Sequence, residues 1–180
     1  MEIADLKRTV RRASRGDENA AGDLFDHYYP RVYGYALGKL HNTADAEDVA
    51  AETFARVLRE LDRFKWTGGG FEAWIFRIAS NLVTDRFRAT GREDLTDKAR
   101  DEAATDDSPE QHVVRGEIRD ELVDMMSTLP PDQREVLLLR FAAGLSTHET
   151  ARMMRRKTNA VRQLQFRALQ SLRTRMGAEP

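Results

Sequence analysis

Residues 91–111, GREDLTDKARDEAATDDSPEQ, hold eight acidic and three basic side chains, with Leu95 as the only large apolar one. Such a stretch cannot bury enough surface to offset the entropy of ordering it, so it reads as a flexible acidic linker. The length of 180 residues allows one domain or two small ones, and a linker here favours two small units, one on each side of it. The expected layout is a polar helix or arm over 1–22, a first domain over 20–90, the linker over 91–111, a second domain over 112–176 and a tail over 177–180.

On both sides of that break the apolar periodicity is helical. In 46–61, Ala46, Val49, Ala50, Thr53, Phe54, Val57, Leu58 and Leu61 share one helix face, and Glu47, Asp48, Glu52, Arg56, Arg59 and Glu60 lie opposite. The preceding segment, 20–40, has Leu24, Phe25, Tyr28, Val32, Tyr35, Ala36 and Leu40 at helical spacing, with Pro30 predicting a break or kink and Asn42-Thr43 capping the next helix. After the loop 65–70, the segment 71–88 gathers Phe71, Trp74, Ile75, Ile78, Ala79, Leu82 and Val83 on one side. Its other side carries Arg77, Asn81, Asp85 and Arg88. Beyond the linker, 113–128 is amphipathic, and Pro130-Pro131 opens a helix over 132–142. A helix over 147–154 starts at Ser146 or Thr147, with Glu149 placed for a capping box. The turn Arg155-Arg156-Lys157 then leads to Thr158 as N-cap of a long helix that buries Ala160, Val161, Leu164, Ala168 and Leu172. No stretch alternates as a strand does, so both domains are expected to be all-α.

The formal net charge of −1 conceals a segregation of sign. Residues 134–176 hold ten basic and two acidic side chains, against the acidic linker before them. Within the basic part, a helix, a short turn and a second helix opening on Thr158, Asn159, Arg162 and Gln163 has the form that sets a recognition helix in the major groove. Arginine suits guanine, and asparagine or glutamine suits adenine, while Arg155, Arg156 and Lys157 suit phosphates. By pattern alone, helical adaptors share such turns. In the first domain, Trp66 beside Lys65 and the stripe of Arg77, Asn81, Asp85 and Arg88 suits unstacked bases, whereas Phe71, Trp74 and Ile75 read as core.

Other chemistry is poorly represented. The chain has no cysteine, which excludes disulfides and thiol chemistry, and His148-Glu149 has Arg152 where a zinc-binding helix needs its second histidine. Gly68-Gly69-Gly70 is followed by Phe71, not by the Lys of a phosphate-binding loop. No apolar run approaches the roughly 18 residues of a membrane span, and Met1 to Ala20 is polar and of mixed charge. No catalytic residue, metal or cofactor is expected, and the composition suits a cytoplasmic protein that inserts into no membrane.

The strings YYPRVYGYAL (28–37), DAEDVAAETFARVLRELDRF (45–64), FEAWIFRIASNLVTDRFR (71–88) and LPPDQREVLLLRFAAGLS (129–146), in this order, resemble the extracytoplasmic-function (ECF) sigma factors of bacterial RNA polymerase. The resemblance implies two helical domains, sigma region 2 and a sigma region 4 helix-turn-helix, on a linker. It implies that Asp48, Glu52, Thr53 and Arg56 face the coiled coil of the polymerase β′ subunit. Lys65 and Trp66 with Asn81 and Asp85 would capture a flipped base of the melted minus-ten element, and Arg77, Arg86 and Arg88 would lie near its backbone. The helix from Thr158 would read the minus-thirty-five element through Asn159, Arg162, Gln163, Phe166 and Arg167, with Arg155, Arg156 and Lys157 at its entrance. The implied partners are core polymerase, through the β′ coiled coil and the β flap, promoter DNA and an anti-sigma factor, in the cytoplasm and at the nucleoid. Three features depart from the family's pattern: Arg155-Arg156-Lys157 stands where a small or glycine-containing turn is common, Thr150 where an Ile is common, and Asp85 where the side chain can be an amide. The alternative is a stand-alone helix-turn-helix regulator that binds duplex operators, typically as a symmetric dimer. A helical adaptor that touches no nucleic acid is the third reading.

Overall fold

The structure is a computed structural model that describes residues 3–66, 70–90 and 125–177. The linker 91–111 and most of the amphipathic stretch 113–128 lie outside the described residues. Among those described, every regular element is helical.

The first unit contains α1 (Ile3–Ala13), α2 (Glu18–Leu40), α3 (Thr43–Glu60), a 3-10 turn (Leu61–Arg63) and α4 (Gly70–Thr90). The termini follow local chemistry. Asp17 accepts from the Ala20 amide at the start of α2, and Asn42 accepts from the Asp45 amide at the start of α3. Helix α2 is the central element, packed against α1, α3 and α4. Tyr28, Tyr35, Phe71, Phe76 and Ile75 are fully buried there, with Leu24, Val32 and Val57. Burial of one such side chain stabilises the unit by about 1.5–3 kcal/mol before entropy is counted.

The second unit contains α5 (Pro131–Leu137), a π-helical turn (Leu138–Ala142), α6 (Thr147–Met153) and α7 (Thr158–Arg175). Its core is Val136, Leu139, Leu145, Val161 and Ala168. Ser146 and Glu149 form the expected capping box on α6. The helix expected over 132–142 changes to π geometry at Leu138, where the Ala143 amide reaches back to the Leu138 carbonyl and the Leu145 amide to that of Leu139.

Three local expectations are corrected. Helix α2 runs unbroken through Pro30, because Pro30 and Asp26, whose carbonyl loses its amide partner, are both exposed and water can take the donor's place. Thr158 is the first residue of α7 and not its N-cap; that position belongs to Lys157, which is extended and makes no side-chain cap. Leu58, expected on the buried face of α3, is half exposed.

The second unit rests on α2 through the π turn, and on α4 through α6. The approach at Gly38 is so close that a Cβ there would overlap the Leu138 side chain. Arg31 of α2 donates through Nε to the Ala143 carbonyl at 3.0 Å and pairs with Glu72 of α4 at 3.0 Å, lying over the Tyr28 ring. Gly144, at φ +64°, lets the chain turn directly beside the Arg31 guanidinium. Glu135 of α5 accepts from the Tyr35 hydroxyl and from Lys39.

Candidate functional site

Helix α3 presents Asp48, Glu52 and Arg56 outward because its opposite face is filled by Ala46, Val49, Ala50, Phe54 and Val57. Glu52 accepts from Arg56 at 2.8 Å and lies 3.9 Å from Arg59, so its carboxyl is held below the usual range, chiefly by the Arg56 hydrogen bond. Thr53 does not belong to this surface. It is fully buried, and its hydroxyl donates to the Val49 carbonyl at 2.7 Å, so it backs the exposed face from behind.

At the start of α4, Phe64, Phe71 and Trp74 form an aromatic cluster with centroid separations of 4.9 to 5.6 Å. Trp66 meets the edge of Phe64 at 5.1 Å and remains 41% exposed. Lys65, Arg77, Phe64 and Trp74 line a shallow open cleft beside it. Trp74, which the sequence marked as core, is therefore half-buried and a wall of this cleft. Asn81, Asp85 and Arg88 continue along the exposed face of α4, with Arg88 3.6 Å from Asp85.

Arg86 departs from that group. It is bonded to Asp45 through Nε at 2.8 Å and to Asp48 at 2.9 Å, which raises its pKa above the ordinary value, the Asp45 hydrogen bond contributing most. Its charge ties α4 to α3 through two carboxylates, while its side chain remains 37% exposed. The same pairing orients Asp48.

On α7, Asn159, Arg162, Gln163, Phe166 and Arg167 are all exposed at spacings of three and four, a single face. Phe166 is 68% exposed. Of the three cations in the entrance turn, Arg156 is paired with Asp132 of α5, whereas Arg155 and Lys157 point to solvent. Arg155 holds φ +53°, the left-handed conformation that a glycine would adopt without strain.

Sequence reasoning missed Arg31, Glu72 and Glu135, whose role is visible only once the two units meet. It also missed Lys7 of α1, whose ammonium lies 5.5 Å from the centroid of Trp66. Among the described residues no cluster of His, Asp or Glu could hold a metal, and no helix is long and apolar enough to cross a membrane.

The Sigma-70 region 2 family model matches residues 24–93 and the Sigma-70 region 4 family model matches residues 125–174. The chain is 38% identical over 173 residues to the ECF RNA polymerase sigma factor BldN of Streptomyces coelicolor, covering 95% of this chain and 66% of that protein. It is 38% identical over 182 residues to the ECF RNA polymerase sigma factor ShbA of Streptomyces griseus, covering 96% of this chain and 95% of that one. In fold it resembles CnrH, solved in complex with the cytosolic domain of CnrY, with a TM-score of 0.68 at 24% identity over 96% of this chain and 97% of that chain.

Proposed function

This chain belongs to the ECF RNA polymerase sigma factors, and we propose that it binds core polymerase through α3, captures the minus-ten element at α4 and reads the minus-thirty-five element with α7. The first domain, 20–90, takes the first two tasks and the second, 112–176, takes the third. Core polymerase supplies the catalysis; the chain supplies the recognition of the promoter. Its place is then the cytoplasm, and the nucleoid when it is part of holoenzyme.

The reading of each face follows from its chemistry. Asp48, Glu52 and Arg56 meet the β′ coiled coil. An unstacked base enters the cleft beside Trp66, where stacking on an aromatic ring is worth about 1–3 kcal/mol and helps offset extrusion from the duplex. Lys65 and Arg77 at the cleft, with Asn81, Asp85 and Arg88 along α4, contact the rest of the melted strand. On α7, Arg162 and Arg167 suit guanine edges and Asn159 and Gln163 adenine edges, while Arg155 and Lys157 hold phosphates. The β flap is the expected polymerase contact of the second domain. An anti-sigma factor is a further expected partner, and the half-exposed Leu58 and the exposed Phe166 offer it apolar contacts.

The observation that supports this reading best is the exposure of Trp66 beside Lys65 and Arg77 in a chain that also presents a polar α7 face. The test is binding of the purified chain to core polymerase. Asp48→Lys with Glu52→Lys should abolish complex formation while Trp66→Ala preserves it and loses promoter opening. Full core binding by the charge-reversed chain would refute the α3 assignment.

A further inference from the structure

Helix α1 lies outside the matched region 2 segment and has no role in the account so far. Lys7, Arg8, Arg11, Arg12 and Arg15 are all exposed and recur at alternating steps of one and three, which places them on a single side of the helix and the turn that follows. The other side carries Leu6 and Val10, buried against α2. Like charges at i and i+4 disfavour a helix by a few tenths of a kcal/mol each. Two of the cations are locally balanced, Arg8 by Asp5 at 2.6 Å and Arg12 by Asp17 at 2.8 Å. Arg11 and Arg15 have no ion pair among the described residues, and Lys7 is directed to the Trp66 ring.

We propose that the basic face of α1 is a DNA phosphate-binding surface that extends the minus-ten cleft, holding the sugar-phosphate backbone next to the base stacked at Trp66. The proposal rests on the reading of Trp66 as a minus-ten contact. Two features select this occupant. The strip adjoins that cleft, since the Lys7 ammonium lies 5.5 Å from the centroid of Trp66, which in turn packs on Phe64 of the cleft wall, so a strand passing Trp66 would meet Lys7 and then Arg11 and Arg15 along the same side. Its row of arginines is complementary to a phosphate backbone. An anionic membrane is the less suitable partner, because the apolar side of α1 that would enter it is already packed on α2.

Phosphate contacts have a thermodynamic signature independent of base sequence. The slope of log affinity against log salt is about −0.9 for each phosphate neutralised on duplex and about −0.7 on single strands. The experiment compares the full chain with the variant Lys7→Gln/Arg11→Gln/Arg15→Gln, titrating a mixed-sequence DNA fork, duplex running into single strand, across a salt series. All three substitutions are on the surface, and circular dichroism confirms an unchanged fold. The expected result is a slope shallower by roughly two, with binding to core polymerase unchanged and the slope restored by Arg11→Lys/Arg15→Lys on an otherwise native chain. An unchanged slope overturns the proposal. So does a variant whose only defect is loss of binding to phosphatidylglycerol vesicles. Trp66→Ala separates the two readings: if promoter opening survives it, the minus-ten assignment fails while the slope measurement still decides the role of α1.

Discussion

The Lys39 ammonium lies 3.0 Å from one carboxylate oxygen of Glu135, joining positions 96 residues apart, and the Tyr35 hydroxyl donates to the other oxygen at 3.1 Å. Both charged side chains are only about one-fifth exposed. This contact, with Arg31 on the Ala143 carbonyl, holds the second domain on α2. Glu135→Ala removes the acceptor from two donors at once. The expected loss is about 1–2 kcal/mol, a fall in Tm of roughly 2–8 °C for a chain of this size. Small-angle scattering should show a larger radius of gyration, because fewer contacts then hold the domains together. An unchanged radius and Tm would mean that the pair contributes nothing to the packing.

Two of the departures from the family's pattern, at Arg155 and Thr150, each leave a measurable trace. Arg155 occupies a left-handed conformation that costs a non-glycine residue about 1–2 kcal/mol. Arg155→Gly should be neutral or stabilising by up to ~1 kcal/mol, since glycine's larger unfolded-state entropy offsets part of the relief. Thr150 is fully buried and its hydroxyl has no partner among the described residues. Thr150→Val should raise stability by about 1 kcal/mol by removing an unpaired buried polar group. Urea unfolding of both variants checks the signs; a loss of stability in either contradicts the structure at that position.

Acid should loosen the domain contact through His27. Its imidazole lies 3.4 Å from the Arg31 guanidinium and is held below its ordinary value of 6.5, chiefly by burial, with Arg31 adding to the effect and Glu72 opposing it. The unfolded chain therefore takes up the proton more readily than the folded one. The stabilising contribution is present above 6.5 and is lost as pH falls through the lowered folded value. His27→Gln should flatten the fall in urea midpoint across that window. Identical pH profiles for the two chains would remove His27 from the account.

The sequence made much of this legible. The buried face of α3 was readable from Ala46 to Val57 because a three-and-four repeat of apolar residues has one helical solution, and the capping box at Ser146 followed from residue type and spacing alone. What was not readable depended on partners distant in the chain. The burial of Phe76 is set by Tyr35, 5.9 Å away on α2. The capture of Arg86 by Asp45 and Asp48, and the seat of Leu138 at Gly38, likewise require knowing which helices meet. Thr53 separates two kinds of reading: periodicity placed it on the apolar side, where it is buried, whereas the family resemblance placed it on the polymerase-facing surface.

That distinction is itself testable. Thr53→Val removes a hydroxyl that donates only to its own helix, so stability should change by less than about 1 kcal/mol and affinity for core polymerase should not change. Glu52→Lys, on the exposed side one residue before, should weaken that affinity several-fold and alter its salt dependence. Equal effects of the two substitutions would mean that the α3 surface is not the binding face.

This chain confers promoter specificity on core polymerase. Run-off transcription on a library of promoter fragments, with core polymerase alone and with the chain added, tests it directly. Transcripts are expected from a discrete set of fragments only when both are present, and that set should be lost with Trp66→Ala. Tight, sequence-specific binding of duplex fragments by the isolated chain, with no new start sites when core polymerase is added, would contradict it.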